Sequence, residues 1–167
     1  MVKRGLILAV VVAICDQWTK SLIRGMFVGM PPGHRIPITG FFDLTFTRNS
    51  GISFGLFNNG AAANPLVFTV IAAAVIALLI YWLSRVETGL LAVCIGLIIG
   101  GAIGNATDRL IDVGVVDFLD FHLGSWHWPA FNIADSAICI GVVLMLLEGL
   151  LSRRGALPTK ESGDLQR

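Results

Sequence analysis

Residues 65–84 contain no charged side chain before Arg85, and a helix of about 20 such residues reaches across the hydrocarbon core of a bilayer. That run identifies lipid as the solvent in which this chain folds. Stretches of similar length at 5–28, 90–110 and 131–151 are also predominantly apolar. With 55% hydrophobic and only 14% charged residues, the chain lacks the roughly one-quarter charged content that covers a soluble domain. The expected architecture is an all-α membrane protein with four transmembrane helices, forming a single membrane-embedded domain over residues 1–167.

The first stretch has a rival reading. Lys3 and Arg4 ahead of a short apolar segment ending at Cys15 look like a secretory signal peptide. However, Ile14 stands where a lipoprotein signal needs a small residue, and the apolar character runs on through Trp18, Leu22, Ile23 and Phe27. An uncleaved helix over 5–28 is therefore expected. Four crossings put both termini on one side, with Lys3, Arg4, Arg85, Arg153, Arg154, Lys160 and Arg167. The other side has Lys20, Arg24, Arg35, Arg48 and Arg109. Three of those five lie within or at the end of a proposed helix, so the basic bias places the termini in the cytoplasm.

Between the first and second helices, residues 36–57 change character. Residues 44–47 and 52–56 alternate apolar and small polar side chains around Asn49-Ser50-Gly51, the pattern of a strand, a turn and a strand. A small extramembrane β cradle is expected there, one side of it resting on the bilayer interface. The polar tail at 155–167 is expected to be disordered. Cys15, Cys94 and Cys139 lie inside apolar runs without CxxC spacing, so they read as small core residues and not as a disulfide framework or zinc site. A net charge of +1 gives no footprint for nucleic acid.

The acidic residues carry the chemistry. Asp16 lies within the first span with Lys20 one turn on. An ionisable residue at that depth faces the bundle interior, either as an ion pair that pins helices or as part of a site. The third helix runs outward and the fourth returns, so their ends meet at the outer face, where the sequence has Asn105-Ala106-Thr107-Asp108-Arg109 and Asn132-Ile133-Ala134-Asp135. Both are Asn-x-x-Asp, which puts each pair on one helical face. The connecting loop adds Asp112, Asp117 and Asp120.

These acids differ in setting. Asp112 reads as a solvated loop residue, and Asp108 as half of an ion pair with Arg109 at a helix end. Asp117 stands between Val115-Val116 and Phe118-Leu119, where a carboxylate is costly unless protonated or partnered. Asp135 starts a helix, whose dipole favours the charged form; capping alone is the plainer reading of that residue. Two carboxylates close together in a low-dielectric site share one proton. One then activates water while the other polarises a carbonyl, as in aspartic proteases, and Asp117 with Asp135 fits this best.

Competing chemistries have less support. His34, His122 and His127 lie in outer loops with no GxSxG nucleophile motif, and there is no HExxH. A divalent metal held by the aspartates is a weaker alternative. An ion pathway would step its acids through the membrane instead of clustering them at one face, and a purely structural scaffold would need no carboxylate at Asp117.

Five signatures stand in order along the chain: Asp16-Gln17-Trp18-Thr19-Lys20, Asn49-Ser50-Gly51-Ile52-Ser53-Phe54, Gly100-Gly101-Ala102-Ile103-Gly104-Asn105 continuing to Asp108-Arg109, Val115-Val116-Asp117-Phe118, and Phe131-Asn132-Ile133-Ala134-Asp135-Ser136. Nearly end to end, the sequence resembles the lipoprotein signal peptidase (signal peptidase II) family. The resemblance implies a bacterial inner-membrane aspartyl endopeptidase that cuts lipid-modified prolipoproteins before the diacylglyceryl cysteine, with its site at the periplasmic or extracellular face. It maps the catalytic pair onto Asp117 and Asp135, and substrate-binding or supporting roles onto Asp16, Asn49, Gly51, Asn105, Asp108, Arg109 and Asn132. No cofactor or metal is expected, and the partners implied are the prolipoprotein and membrane lipids, with the protein a monomer. Ile52 and Ser53 depart from the two small residues common in the family after the turn glycine.

Overall fold

The computed structural model describes residues 1–49, 65–112 and 114–155. Helix α1 (Val2–Met26) buries Gly5, Ala9, Val12, Asp16, Lys20 and Ile23. Their spacing of three and four makes one stripe along the helix, while Ile7, Val10, Ile14 and Trp18 point outward. Helices α2 (Pro65–Leu83), α3 (Gly89–Ile111) and α4 (Ile133–Gly155) complete the bundle. Among the described residues, three helical segments are long and apolar enough to cross a membrane, Val2–Met26, Gly89–Ile111 and Ile133–Leu151; the apolar part of α2, Val67–Leu83, is shorter.

Helix α3 is the centre of the bundle, and its small residues explain why. A Cβ on Gly100 would come 2.6 Å from the Ala9 carbonyl oxygen of α1, and one on Gly104 would come 2.5 Å from Asp16 Oδ2. Glycine at these positions lets backbones approach and van der Waals contact replace the hydrophobic drive that lipid does not supply. Toward the start of α1, Leu83, at the end of α2, packs with Ala9, Ala92, Ile95 and Ile99. Thr88 caps α3, accepting from Leu91 N at 3.3 Å, and its hydroxyl donates to Glu148 of α4 at 2.8 Å. The starts of α1 and α3 thus gather with the ends of α2 and α4.

The other end of the bundle carries a four-stranded antiparallel sheet, in the order β1 (Arg35–Thr39), β2 (Phe42–Asn49), β3 (Val115–Leu123) and β4 (Trp126–His127). Ile23 and Phe27 from the end of α1 pack under it against Val116 and Phe118. The register places Asp43 opposite Asp120, Thr47 opposite Asp117 and Asn49 opposite Val115.

Several expectations are corrected here. The sheet is not confined to the connection between the first two helices, because β3 and β4 come from the α3–α4 connection, expected to be a loop. Val115, Val116, Asp117 and Phe118 are all buried, so this strand shows no alternation to read. Residues 44–47 do lie in a strand; the proposed strand at 52–56, the turn with Gly51, and the tail from 156 fall outside the described residues. Only Cys94 is a core cysteine, Cys15 and Cys139 being exposed on the outer faces of α1 and α4. His122 and His127 sit in strands β3 and β4, not in loops.

Candidate active site

Asn132 precedes the first turn of α4 and forms a reciprocal cap with Asp135. Asp135 N donates to Asn132 Oδ1 at 2.9 Å, and Asn132 N donates to Asp135 Oδ2 at 3.3 Å. The cap orients the Asn132 amide so that Nδ2 turns toward β3, donating to Asp117 Oδ1 at 2.7 Å and to the Val116 carbonyl at 3.2 Å. Phe131 is stitched to the same strand through bonds with Phe118 and Leu119. One asparagine therefore joins the two carboxylates: Asp117 on β3 and Asp135 on α4.

Each carboxylate has a further amide partner. Asn49, the last residue of β2, donates to Asp117 Oδ2 at 3.1 Å, and Asn105 of α3 donates to Asp135 Oδ1 at 2.8 Å. Burial, and then the negative charge of Asp135, push the Asp117 carboxyl up to about 6, against the opposing pull of Asn49, Asn132 and Lys20. Arg109 donates to the Asn105 carbonyl at 3.1 Å, lies over the Phe68 ring, and its charge acts on both Asp135 and Asp117.

Beneath this pair lies a buried ion network. Lys20 Nζ is 2.8 Å from Asp16 Oδ2, 2.9 Å from Asp108 Oδ2 and 3.1 Å from Asn105 Oδ1, so all three of its hydrogens have acceptors. Asp16 Oδ1 accepts from Ala134 N at 2.9 Å, and Asp108 accepts from Val116 N, Gln17 and Arg24. Two carboxylates and two cations tie α1, α3, α4 and β3 together. Breaking such a buried pair leaves an uncompensated charge and costs about 3–5 kcal/mol.

The structure brings together Asp16, Asn49, Asn105, Asp108, Asp117, Asn132 and Asp135, with Arg109 beside them; Gly51 lies outside the described residues. Two pairings differ from expectation. Asp108 pairs with Lys20 and Arg24, not with its neighbour Arg109, and Asp112 is no free loop residue. Asp112 caps the end of α3 and meets Arg48 at 2.6 Å. Sequence reading missed Gln17, which bridges Asp16, the Gly104 carbonyl and Asp108. It also missed Arg24, although the spacing 16, 20, 24 carried the signal. No sequence signal pairs Asp120 with Arg35 and His127, both at 2.8 Å. The same holds for Asp43 and His122, 3.3 Å apart without hydrogen-bond alignment.

The model of the family described as Signal peptidase (SPase) II matches residues 8–151. The chain belongs to the signal peptidase II family. It is thus a peptidase of the bacterial membrane. It is similar to proteins named Lipoprotein signal peptidase from Paraburkholderia phymatum, with 42% identity over 89% of this chain and 88% of the relative, and from Burkholderia mallei, with 40% identity over 89% of each. Two solved bacterial membrane enzymes, determined by the in meso method, share the fold seen here. One, at 2.3 Å resolution, gives a TM-score of 0.80 with 29% identity over 98% of this chain and 95% of that one; the other, at 1.9 Å, gives 0.73 with 31% identity over 89% and 93%.

Proposed function

We propose that this chain is an aspartyl endopeptidase that removes the signal peptide from diacylglyceryl-modified prolipoproteins by cleaving before the lipidated cysteine. The observation that carries the reading is the joining of Asp117 and Asp135 through Asn132 at the sheet end of the bundle. The name of the relatives supports the substrate class. Two adjacent carboxyls that hold one proton between them need neither a metal nor a nucleophilic side chain. The ionised member takes a proton from water as its oxygen attacks the scissile carbonyl, and the protonated member gives its proton to the carbonyl oxygen. The tetrahedral diol then collapses, a proton passes to the cysteine nitrogen, and the C–N bond breaks.

The site's position suits such a substrate. Each buried CH₂ of a diacyl chain contributes about 0.8 kcal/mol to membrane affinity, which keeps the scissile bond near the interface where the helices end. An aromatic cleft of about 390 Å³ runs along the sheet between Phe41, Phe121, Leu123, Trp126 and Trp128 to Phe131, the neighbour of Asn132. Such side chains favour a headgroup boundary. In this reading α2 is the fourth crossing, both termini are cytoplasmic, and the sheet faces the periplasm or the exterior of the inner membrane. The same reading takes the protein to act as a monomer.

The test is purified full-length protein mixed with a diacylglyceryl prolipoprotein. Asp117→Asn and Asp135→Asn should each lower kcat by at least ~10²-fold with unchanged membrane insertion. Near-normal cleavage by either variant would remove that residue from the chemistry.

A further inference from the structure

The buried ion network and the aspartate pair meet at one side chain, Asn105. Its Oδ1 accepts from Lys20 Nζ at 3.1 Å and from Asn132 Nδ2 at 3.2 Å, while its Nδ2 donates to Asp135 Oδ1 at 2.8 Å. The two ends of an amide have nearly the same shape, so its neighbours decide which end faces which way. Asn132 is a weak arbiter. Its NH₂ has two hydrogens and three acceptors within reach: Asp117 at 2.7 Å, and the Val116 carbonyl and Asn105 at 3.2 Å each. It can satisfy the first two and leave Asn105 without a donor. Lys20 has no such freedom. An ammonium has three hydrogens and no lone pair, and two of them are taken by Asp16 and Asp108. Only the oxygen of Asn105 can face the third.

We propose that Lys20 is a positioning residue for the aspartate pair: its ammonium locks Asn105 with the NH₂ toward Asp135, so that Asp135 is the ionised base and the shared proton stays on Asp117. The inference rests on the reading of Asp117 and Asp135 as the catalytic pair. A donor stabilises a carboxylate over its acid. An Asn105 amide turned over would present oxygen to Asp135, which could then bond to it only when protonated. The helix dipole at the start of α4 acts in the same direction as the Asn105 donor, and Asp117, only 3% exposed, is the more costly place for a charge.

Of the other charged groups around the pair, Asp16 of α1 and Asp108 of α3 are both engaged by Lys20, and Arg24 is engaged by Asp108. Arg109 acts on Asp135 more than on Asp117, in the same direction as the Asn105 donor. With Asp117 protonated, its Oδ1 still accepts the 2.7 Å bond from Asn132, and Oδ2 carries the proton while a lone pair left on it accepts the 3.1 Å bond from Asn49. The proton count closes over one turnover. Water gives a proton to Asp135 as its oxygen bonds to the carbonyl carbon, and Asp117 gives one to the carbonyl oxygen. On collapse Asp135 passes its proton to the leaving nitrogen, and the diol returns one to Asp117.

Lys20→Met keeps the length of the side chain and removes the donor. Lys20→Met/Asp108→Asn does the same and leaves the buried set neutral, with Asp16 and Arg24 as its charges. Both variants, purified full-length in lipid nanodiscs with a synthetic diacylglyceryl prolipoprotein, should lose about 10- to 100-fold in kcat, as for a misplaced reacting group, with little change in KM. The acid limb of the kcat profile should move to higher pH, because an Asn105 oxygen turned toward Asp135 can bond only to the protonated carboxyl. In the charge-balanced double variant a merely structural lysine would not move that limb, so a folded double variant with normal kcat and an unmoved acid limb would overturn the proposal. A second measurement needs neither Lys20 variant. The infrared band of the protonated carboxyl should vanish in Asp117→Asn and persist, displaced to lower pH, in Asp135→Asn. The reverse assignment overturns the inference while leaving the catalytic pair intact. Normal cleavage by Asp117→Asn or Asp135→Asn overturns both.

Discussion

A carboxyl that is 3% exposed and shares its surroundings with a second carboxylate carries a free-energy cost whenever it ionises. An unfolded aspartate releases its proton near 3.8, whereas Asp117 holds it to about 6. Between those values the folded state binds more protons than the unfolded one, so stability falls as pH rises through that window and the whole penalty is present above it. The difference corresponds to about 3 kcal/mol. Asp117→Asn, which cannot ionise, should therefore melt at a higher temperature than the wild type at pH 8, with the gain shrinking to nothing by about pH 4. Thermal unfolding at the two pH values checks this, and a constant difference would show that ionisation of Asp117 is not its cause. Asp117 and Asp135 were legible in the sequence because the neighbours that set their character, two valines and a phenylalanine for one and a helix start for the other, adjoin them in the chain. Asp108 was misread because its partners Lys20 and Arg24 reach it from another helix, and nothing beside Asp108 announces them.

At the scale of elements, sequence patterns disclosed the helices and part of the sheet. The small residues at 100–104 predicted a close approach; the structure supplies the partners, Ala9 and Asp16 of α1 on one side and Ala134 of α4 on the other. Strand β3 was hidden because burial on both sides removes the alternation that marks a strand, and because its pairing with β2 joins segments on either side of α2 and α3. The seam gives a graded prediction. Gly100→Ala would put a methyl 2.6 Å from the Ala9 carbonyl oxygen and 2.7 Å from Val12 Cβ. Neither neighbour is the far end of a flexible chain, so α1 and α3 must separate, at a cost of about 1–3 kcal/mol. Gly149→Ala on α4 meets nothing within 4 Å, and alanine in a helix interior is favoured over glycine by roughly 0.5–1 kcal/mol. Unfolding in detergent should show the first destabilised and the second unchanged or improved. Equal behaviour of the two variants would mean that the seam does not control helix contact.

For the whole molecule, the question is how many times the chain crosses the bilayer. Among the described residues three helical segments have the length, and α2 decides between three and four. Its 19 residues at about 1.5 Å each give roughly 28 Å, close to the ~30 Å hydrocarbon core. Val70, Ile71, Leu78 and Tyr81 are exposed along its outer face, a surface compatible with lipid and costly in water. The end of α2 also reaches the start of α1, where Leu83 crowds Gly5, while the sheet sits at the far end of α1. A chain that passes from that sheet to the start of α1 must traverse the thickness of the bundle. Single cysteines in a background with Cys15, Cys94 and Cys139 replaced by alanine test this directly. Gly124→Cys, in the turn between β3 and β4, should react with an impermeant thiol reagent applied to intact spheroplasts. Ser84→Cys, just past α2, should react only after the membrane is permeabilised. Labelling of Ser84→Cys from outside would reduce the crossings to three. It would also place the basic residues Arg85, Lys3 and Arg4 on the outer face, against the bias that normally keeps such residues in the cytoplasm.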